Sequence, residues 1–280
     1  TQNVDDLHER AGAEDVLHMH GRLRSALCTA CGTRMEWHGP LSDAPPCEAC
    51  GAPALRRSYA GDGGPANQAS FNEPYSLQVD RNGDIYVVDR LNAAIRKITA
   101  SNGLISTVAG GKNTCVFKEP NDCFLDQHNG LLVADVQNQQ IIRVHLITGD
   151  VTLIAGDGEK SRDGDGALAL KASLMGPRAI CLDSQGNFYI CEREGNGIRR
   201  VDKNGIMSTV SGTGEPGYDG DGGPAINATW NGPKAIRCDS QDNLIVVDTE
   251  NHAVRRIDRK TSIVTTVAGG HRGNDGDGGP

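Results

Sequence analysis

The sequence predicts a mainly β protein whose larger part is one four-stranded unit used four times, and three observations carry that expectation. Glycine and proline are abundant while aromatics are scarce: 36 Gly and 12 Pro among 280 residues, against four Phe, five Tyr and two Trp. That balance suits short strands joined by tight turns better than a helical bundle. Apolar and polar residues alternate in short runs bounded by Gly, Asn and Asp, and no window is long and periodic enough for a helix. The punctuation then repeats. Gly61-Asp62-Gly63-Gly64-Pro65 returns as Gly220-Asp221-Gly222-Gly223-Pro224 and Gly276-Asp277-Gly278-Gly279-Pro280, with a shorter Gly164-Asp165-Gly166 between them.

Each element of the unit can be placed in turn. Pro74, Pro120, Pro177 and Pro233 step along the chain by 46, 57 and 56 residues, and the acidic residues Asp89, Asp135, Glu192 and Asp248 keep the same steps. The short step belongs to the unit that has no Gly-Asp-Gly insert. In the first unit the strands are expected at Ser76–Asp80, at Asp84–Asp89 after an Asn82-Gly83 turn, at Ala94–Ile98 and at Leu104–Gly110. A four-stranded unit repeated at this length is the mark of a propeller blade. Four units with a fifth Gly-Asp-Gly-Gly-Pro beginning at Gly276 lead to the expectation of an incomplete ring with open edges. The Asp that recurs in each insert, and Arg96, Arg199 and Arg255 in the third strands, are expected to tie strand ends within their own blades. The alternative is a ligand surface at one mouth. Ile142 takes the arginine position in the second unit.

Two motifs in this region fail on context. Gly212-Thr213-Gly214-Glu215-Pro216-Gly217 has dinucleotide-loop spacing, but the next residues, Tyr218-Asp219-Gly220-Asp221-Gly222-Gly223-Pro224, cannot begin the helix such a loop needs. Asp219-Gly220-Asp221 has the start of a calcium loop, but Gly223 stands at the third ligand position, so a tight turn is the reading.

Charge excludes other classes. The formal net charge is −8 with a pI near 5.5, and residues 58–280 hold 22 basic against 28 acidic side chains. Broad capture of nucleic acid or of an anionic membrane is not expected from such a surface; a protein or peptide ligand is. No run approaches the ~18 consecutive apolar residues of a membrane-spanning helix, and a cytoplasmic location is the expectation.

Residues 1–57 form a separate region. Their basic charge is six Arg with no Lys, whereas the rest has fourteen Arg and eight Lys. Four of the nine cysteines lie here, Cys28, Cys31, Cys47 and Cys50, spaced C-x2-C-x15-C-x2-C. Two such knuckles complete a tetrahedral thiolate shell, so structural zinc is expected, with a pair of disulfides as the alternative. The single cysteines, Cys115, Cys123, Cys181, Cys191 and Cys238, read as small buried hydrophobes.

Two resemblances rest on these residues. Asp248-Thr249-Glu250-Asn251-His252-Ala253-Val254-Arg255-Arg256-Ile257, then Thr265-Thr266-Val267-Ala268-Gly269 and the closing Gly-Asp-Gly-Gly-Pro, resemble an NHL repeat. This implies an NHL-type β-propeller over residues 58–280, in a group whose rings usually close with six blades. Thr1-Gln2-Asn3-Val4-Asp5-Asp6-Leu7-His8, then Leu17-His18-Met19-His20-Gly21, then the paired cysteines with Glu36-Trp37 between them, resemble the middle of a sirtuin, the NAD-dependent protein deacylases, in the bacterial class III style. The resemblance implies that Gln2, Asn3 and Asp5 contact the nicotinamide ribose side of NAD. It makes His20 the general base and Cys28, Cys31, Cys47 and Cys50 the ligands of a structural zinc, with an acylated protein lysine as substrate. Where sirtuins continue their α/β Rossmann sheet after Leu55-Arg56, this chain enters Gly61-Asp62-Gly63, so residues 1–57 are expected to be a fragment of that enzyme, inactive alone. Two readings result: a composite of deacylase segment and interaction propeller, or a non-enzymatic NHL scaffold with a vestigial or wrongly joined sirtuin segment.

Overall fold

The computed structural model describes residues 25–28, 34–36, 48–50, 55–57, 61–111, 116–126 and 128–273. They belong to two compact units, Thr1–Cys115 and Val116–Pro280.

The first unit opens with a three-stranded antiparallel sheet of β1 (Ser25–Cys28), β2 (Arg34–Glu36) and β3 (Leu55–Arg57), in the order β2-β1-β3. Its second sheet is a meander of β4 (Pro74–Val79), β5 (Ile85–Asp89), β6 (Ala94–Ile98) and β7 (Ile105–Gly110). The second unit repeats that meander three times. The sheets are β8 (Pro120–Leu125), β9 (Gly130–Asp135), β10 (Gln140–His145) and β11 (Val151–Ala155); β12 (Pro177–Leu182), β13 (Phe188–Glu192), β14 (Gly197–Val201) and β15 (Met207–Ser211); and β16 (Pro233–Cys238), β17 (Leu244–Asp248), β18 (Ala253–Ile257) and β19 (Val264–Gly269). These four sheets are blades 1 to 4.

The repeated prolines begin the first strand of each blade, two residues ahead of the expected start at Ser76. Proline has no N–H to offer a ladder, so the first strand position suits it. Each faces the repeated acid across the sheet, Pro74 opposite Asp89, Pro120 opposite Asp135, Pro177 opposite Glu192 and Pro233 opposite Asp248, and a bulge comes at once after it. The third strand falls at Ala94–Ile98 as expected. Asp84, expected in the second strand, sits instead in the turn before it, because an aspartate caps that turn in every blade. Asp80 accepts the backbone N–H of Asn82 at 2.8 Å and of Asp84 at 3.0 Å; Asp126, Asp183 and Asp239 make the same pair of bonds in blades 2, 3 and 4. Such a side chain mimics a turn of backbone and fixes the register of the hairpin.

Within the second unit, facing sheets bury two apolar layers. Leu132, Ala134, Ile141, Leu174, Ile180 and Ile190 fill one between blades 2 and 3. Cys181, Tyr189, Ile198, Trp230, Ile236 and Val246 fill the other between blades 3 and 4.

Candidate functional site

The polar chemistry of the repeats converges on one cluster in each of blades 1, 3 and 4. Between the third and fourth strands a bulge leaves one extra residue on the fourth strand. The backbone N–H just before that extra residue then turns to the insert aspartate: Thr107 donates to Asp62 at 3.1 Å, Thr209 to Asp165 at 2.9 Å and Thr266 to Asp221 at 2.7 Å. The second carboxylate oxygen takes the third-strand arginine, Arg96 at 2.8 Å, Arg199 at 2.9 Å and Arg255 at 2.8 Å. All three guanidinium groups are fully buried. Each also approaches the buried acid that ends the second strand, Asp89 at 3.2 Å, Glu192 at 3.7 Å and Asp248 at 3.4 Å. That acid in turn accepts a backbone N–H ahead of the first strand, from Asn72, Met175 and Asn231. In blade 4 the guanidinium also lies over the Trp230 ring, 4.7 Å from its centre. One arginine thus joins the insert loop, the second strand and the third, the tie within each blade that the repetition suggested.

Burial opposes ionisation of Asp221, Asp248 and Glu192, and the donors decide the result. The Asp221 carboxyl is penalised by burial, but the Thr266 and Arg255 hydrogen bonds hold it below the usual range. Burial wins at Asp248, which is raised, and at Glu192, raised to about 7 against the pull of Arg199, the Met175 amide and Arg162.

Blade 2 lacks the cluster as a whole. The insert aspartate is absent, Ile142 replaces the arginine, and Leu153 replaces the threonine, since Ile142 pairs with Leu153 where Arg96 pairs with Thr107. Asp135 remains fully buried. Two strong amide bonds hold it, from Lys118 at 2.8 Å and Glu119 at 2.9 Å, with the Asn138 side chain at 2.8 Å. Burial still raises its pKa against those donors. The second amide is available because Glu119 has negative φ, whereas Glu73, Gly176 and Gly232 at the same position are left-handed, with φ of 58°, 69° and 58°.

At the other end of the chain, Cys28 ends β1 and pairs with Leu55, the first residue of β3, while Leu27 pairs with Arg34, the first residue of β2. Cys50 lies in an exposed turn at 48–50, five residues before Leu55 in the sequence. Cys31 and Cys47 lie outside the described residues, as do Gln2, Asn3, Asp5 and His20. Every strand pair among the described residues is antiparallel.

Comparison with known proteins finds two families along the chain. The Sir2 family matches residues 1–99, and the Teneurin NHL domain matches residues 122–217. An NAD-dependent protein deacylase of Aeropyrum pernix is 38% identical over 96 residues, 34% of this chain and 38% of that protein. One of Leishmania major is 56% identical over 52 residues, 18% of this chain and 21% of that protein. The chain thus spans between about a fifth and two fifths of the length of these curated relatives. Two structures from Bacteroides thetaiotaomicron share the fold at 19% identity. A protein of unknown function has a TM-score of 0.55, covering 65% of this chain and 46% of that one. An auxiliary nutrient binding protein has a TM-score of 0.54, covering 69% and 48%. The N-terminal part of the chain is therefore similar to the sirtuin deacylases, and the four four-stranded sheets are blades of an NHL-type β-propeller.

Proposed function

We propose that this chain is a composite in which an NHL propeller acts as a protein-interaction module and carries a zinc-stabilised sirtuin segment that does not deacylate by itself. The boundary belongs at Arg57. Although the Sir2 match runs to residue 99, β4 to β7 keep the register of the other three blades, bulges included.

One observation carries the reading: the sheet after the boundary is an antiparallel blade. Dinucleotide sites of the Rossmann type are built on parallel strands, with the cofactor at their carboxyl ends. NAD would supply the electrophilic sugar carbon that an acyl oxygen attacks. Gln2, Asn3 and Asp5 would bind its ribose, and His20 would accept a hydroxyl proton. The described strands give these residues no parallel sheet to hold them in place for catalysis. The four cysteines suit zinc by spacing, and a metal with four protein thiolates keeps no open position for substrate. The propeller's partner is read as a protein or peptide, for two reasons. The repeated Asp and Arg are consumed inside the blades. On β4, Tyr75, Leu77 and Val79 present one exposed apolar face, 46%, 56% and 53% accessible.

Nicotinamide release from NAD and an acetyl-lysine peptide tests the reading. The 280-residue protein should match its His20→Ala variant; release above that variant overturns the inactive assignment. Metal analysis should find about one zinc per chain, lost on Cys28→Ser with Cys47→Ser, and a metal-free protein would contradict the zinc assignment.

A further inference from the structure

Three of the single cysteines in the second unit, Cys123, Cys181 and Cys191, are buried as small apolar side chains, but Cys238 is only partly buried. It is also not isolated. The Cys181 and Cys238 sulfurs stand 3.3 Å apart. They belong to β12 and β16, strands of different sheets with no ladder between them, so the contact crosses from blade 3 to blade 4. Cys238 is the last residue of β16, where the strand passes into the Asp239 turn. Cys181 is fully buried against the same apolar layer.

We propose that Cys181 and Cys238 form a redox-modifiable pair, joined by a low-molecular-weight disulfide oxidant into a reversible disulfide that staples blade 3 to blade 4. A covalent S–S bond is about 2.05 Å long, so the sulfurs must close by little more than an ångström. The step balances by two exchanges. The Cys238 thiol, the accessible one, loses its proton to solvent and attacks one sulfur of the oxidant, releasing one thiolate. The Cys181 thiol then loses its proton and attacks the Cys238 sulfur of that mixed disulfide, releasing the second thiolate. The protein loses two hydrogens and two electrons, and the oxidant becomes two thiols. The bond would close a loop across 57 residues, a constraint that mostly penalises the unfolded chain.

The test uses the full 280-residue protein, fully reduced, then incubated with oxidised glutathione and alkylated. Digestion without reductant should yield one crosslinked species joining the peptides of Cys181 and Cys238, lighter by two hydrogen atoms than their sum and lost on reduction. Cys181→Ser removes the resolving thiol, so Cys238 should then accumulate as a stable glutathione adduct. Recovery of both residues as free thiols in the native sequence, or a lasting glutathione adduct at its Cys238, would overturn the proposal. The Cys28, Cys31, Cys47 and Cys50 peptides are mapped separately, so their oxidation cannot be mistaken for this pair.

Discussion

Blade 2 and the other three blades answer the same structural problem in different ways. All four bury an acid at the end of the second strand, opposite the proline that opens the first. Blades 1, 3 and 4 answer it with a buried arginine that also ties down the insert loop. Blade 2 has neither arginine nor loop aspartate, and instead gives the acid a second backbone amide. Asp, Arg and Thr are present together in three blades and replaced together in the fourth. That is the behaviour of one interlocked unit, because any single member left behind would be a buried polar group without its partner. A ligand-binding constellation has no reason to recur in three blades and to vanish from the one without the loop.

The largest effect that can break this comparison is removal of the cation. Arg255→Met should cost about 3–5 kcal/mol of stability, since it strands Asp248 in the interior and unties the Asp221 loop. Denaturant unfolding checks this, and a cost near that of an exposed substitution would dissolve the contrast between blades. Next comes pH. Glu192, in blade 3, has a folded pKa near 7, above its ordinary 4.5. It therefore binds its proton more tightly when folded, and the stability this adds is fully present below about pH 4.5 and is lost as pH climbs through about 7. Glu192→Gln keeps an acceptor for the Met175 amide and should remove a loss of about 3 kcal/mol between those limits. Melting temperature from pH 4 to 8 would show the variant flatter than the parent, and parallel curves would contradict the shift.

Smaller effects sharpen the comparison. Asn196 in blade 3 accepts the Gly232 N–H of blade 4 at 3.0 Å, and Gln139 in blade 2 accepts the Gly176 N–H of blade 3 at 2.8 Å. Both are left-handed, with φ of 44° and 54°. Asn196→Ala should cost about 1–2 kcal/mol by orphaning that amide, with faster exchange at Gly232 as the specific sign. The smallest change belongs to blade 2. Ile142→Val should cost only about 1 kcal/mol, an ordinary core trimming, and a loss as large as that of Arg255→Met would show that blade 2 depends on this position as the others do.

Much of this fold was legible because propeller punctuation is local. Ala94–Ile98 could be placed to the residue from alternation alone. The strand at Pro74 could not, since proline looks like a breaker until an acid is known to face it. Asp84 was drawn into a strand because Asp80 caps the turn that ends at it, which alternation does not reveal. The clusters were half legible. The recurrence of Asp62, Asp165 and Asp221 stood in the sequence, as did Ile142 in place of an arginine. Their pairing did not, because loop aspartate and arginine lie 34 residues apart and only the register of the third and fourth strands brings them together. Leu153 went unread for the same reason. The Cys181 and Cys238 contact left no local signal, being a match between two different strand positions in neighbouring repeats. For residues 1–57 the reverse holds: their motifs spoke plainly in sequence, and the structure adds the small sheet whose first strand ends at Cys28.

The claim that the repeated Asp and Arg build blades is tested most directly by a double-mutant cycle on Asp221 and Arg255. Unfolding free energies of Asp221→Ala, Arg255→Met and the double variant should show a coupling of about 1–3 kcal/mol, the double variant losing less than the sum of its parts. Additivity within about 0.5 kcal/mol would contradict the account.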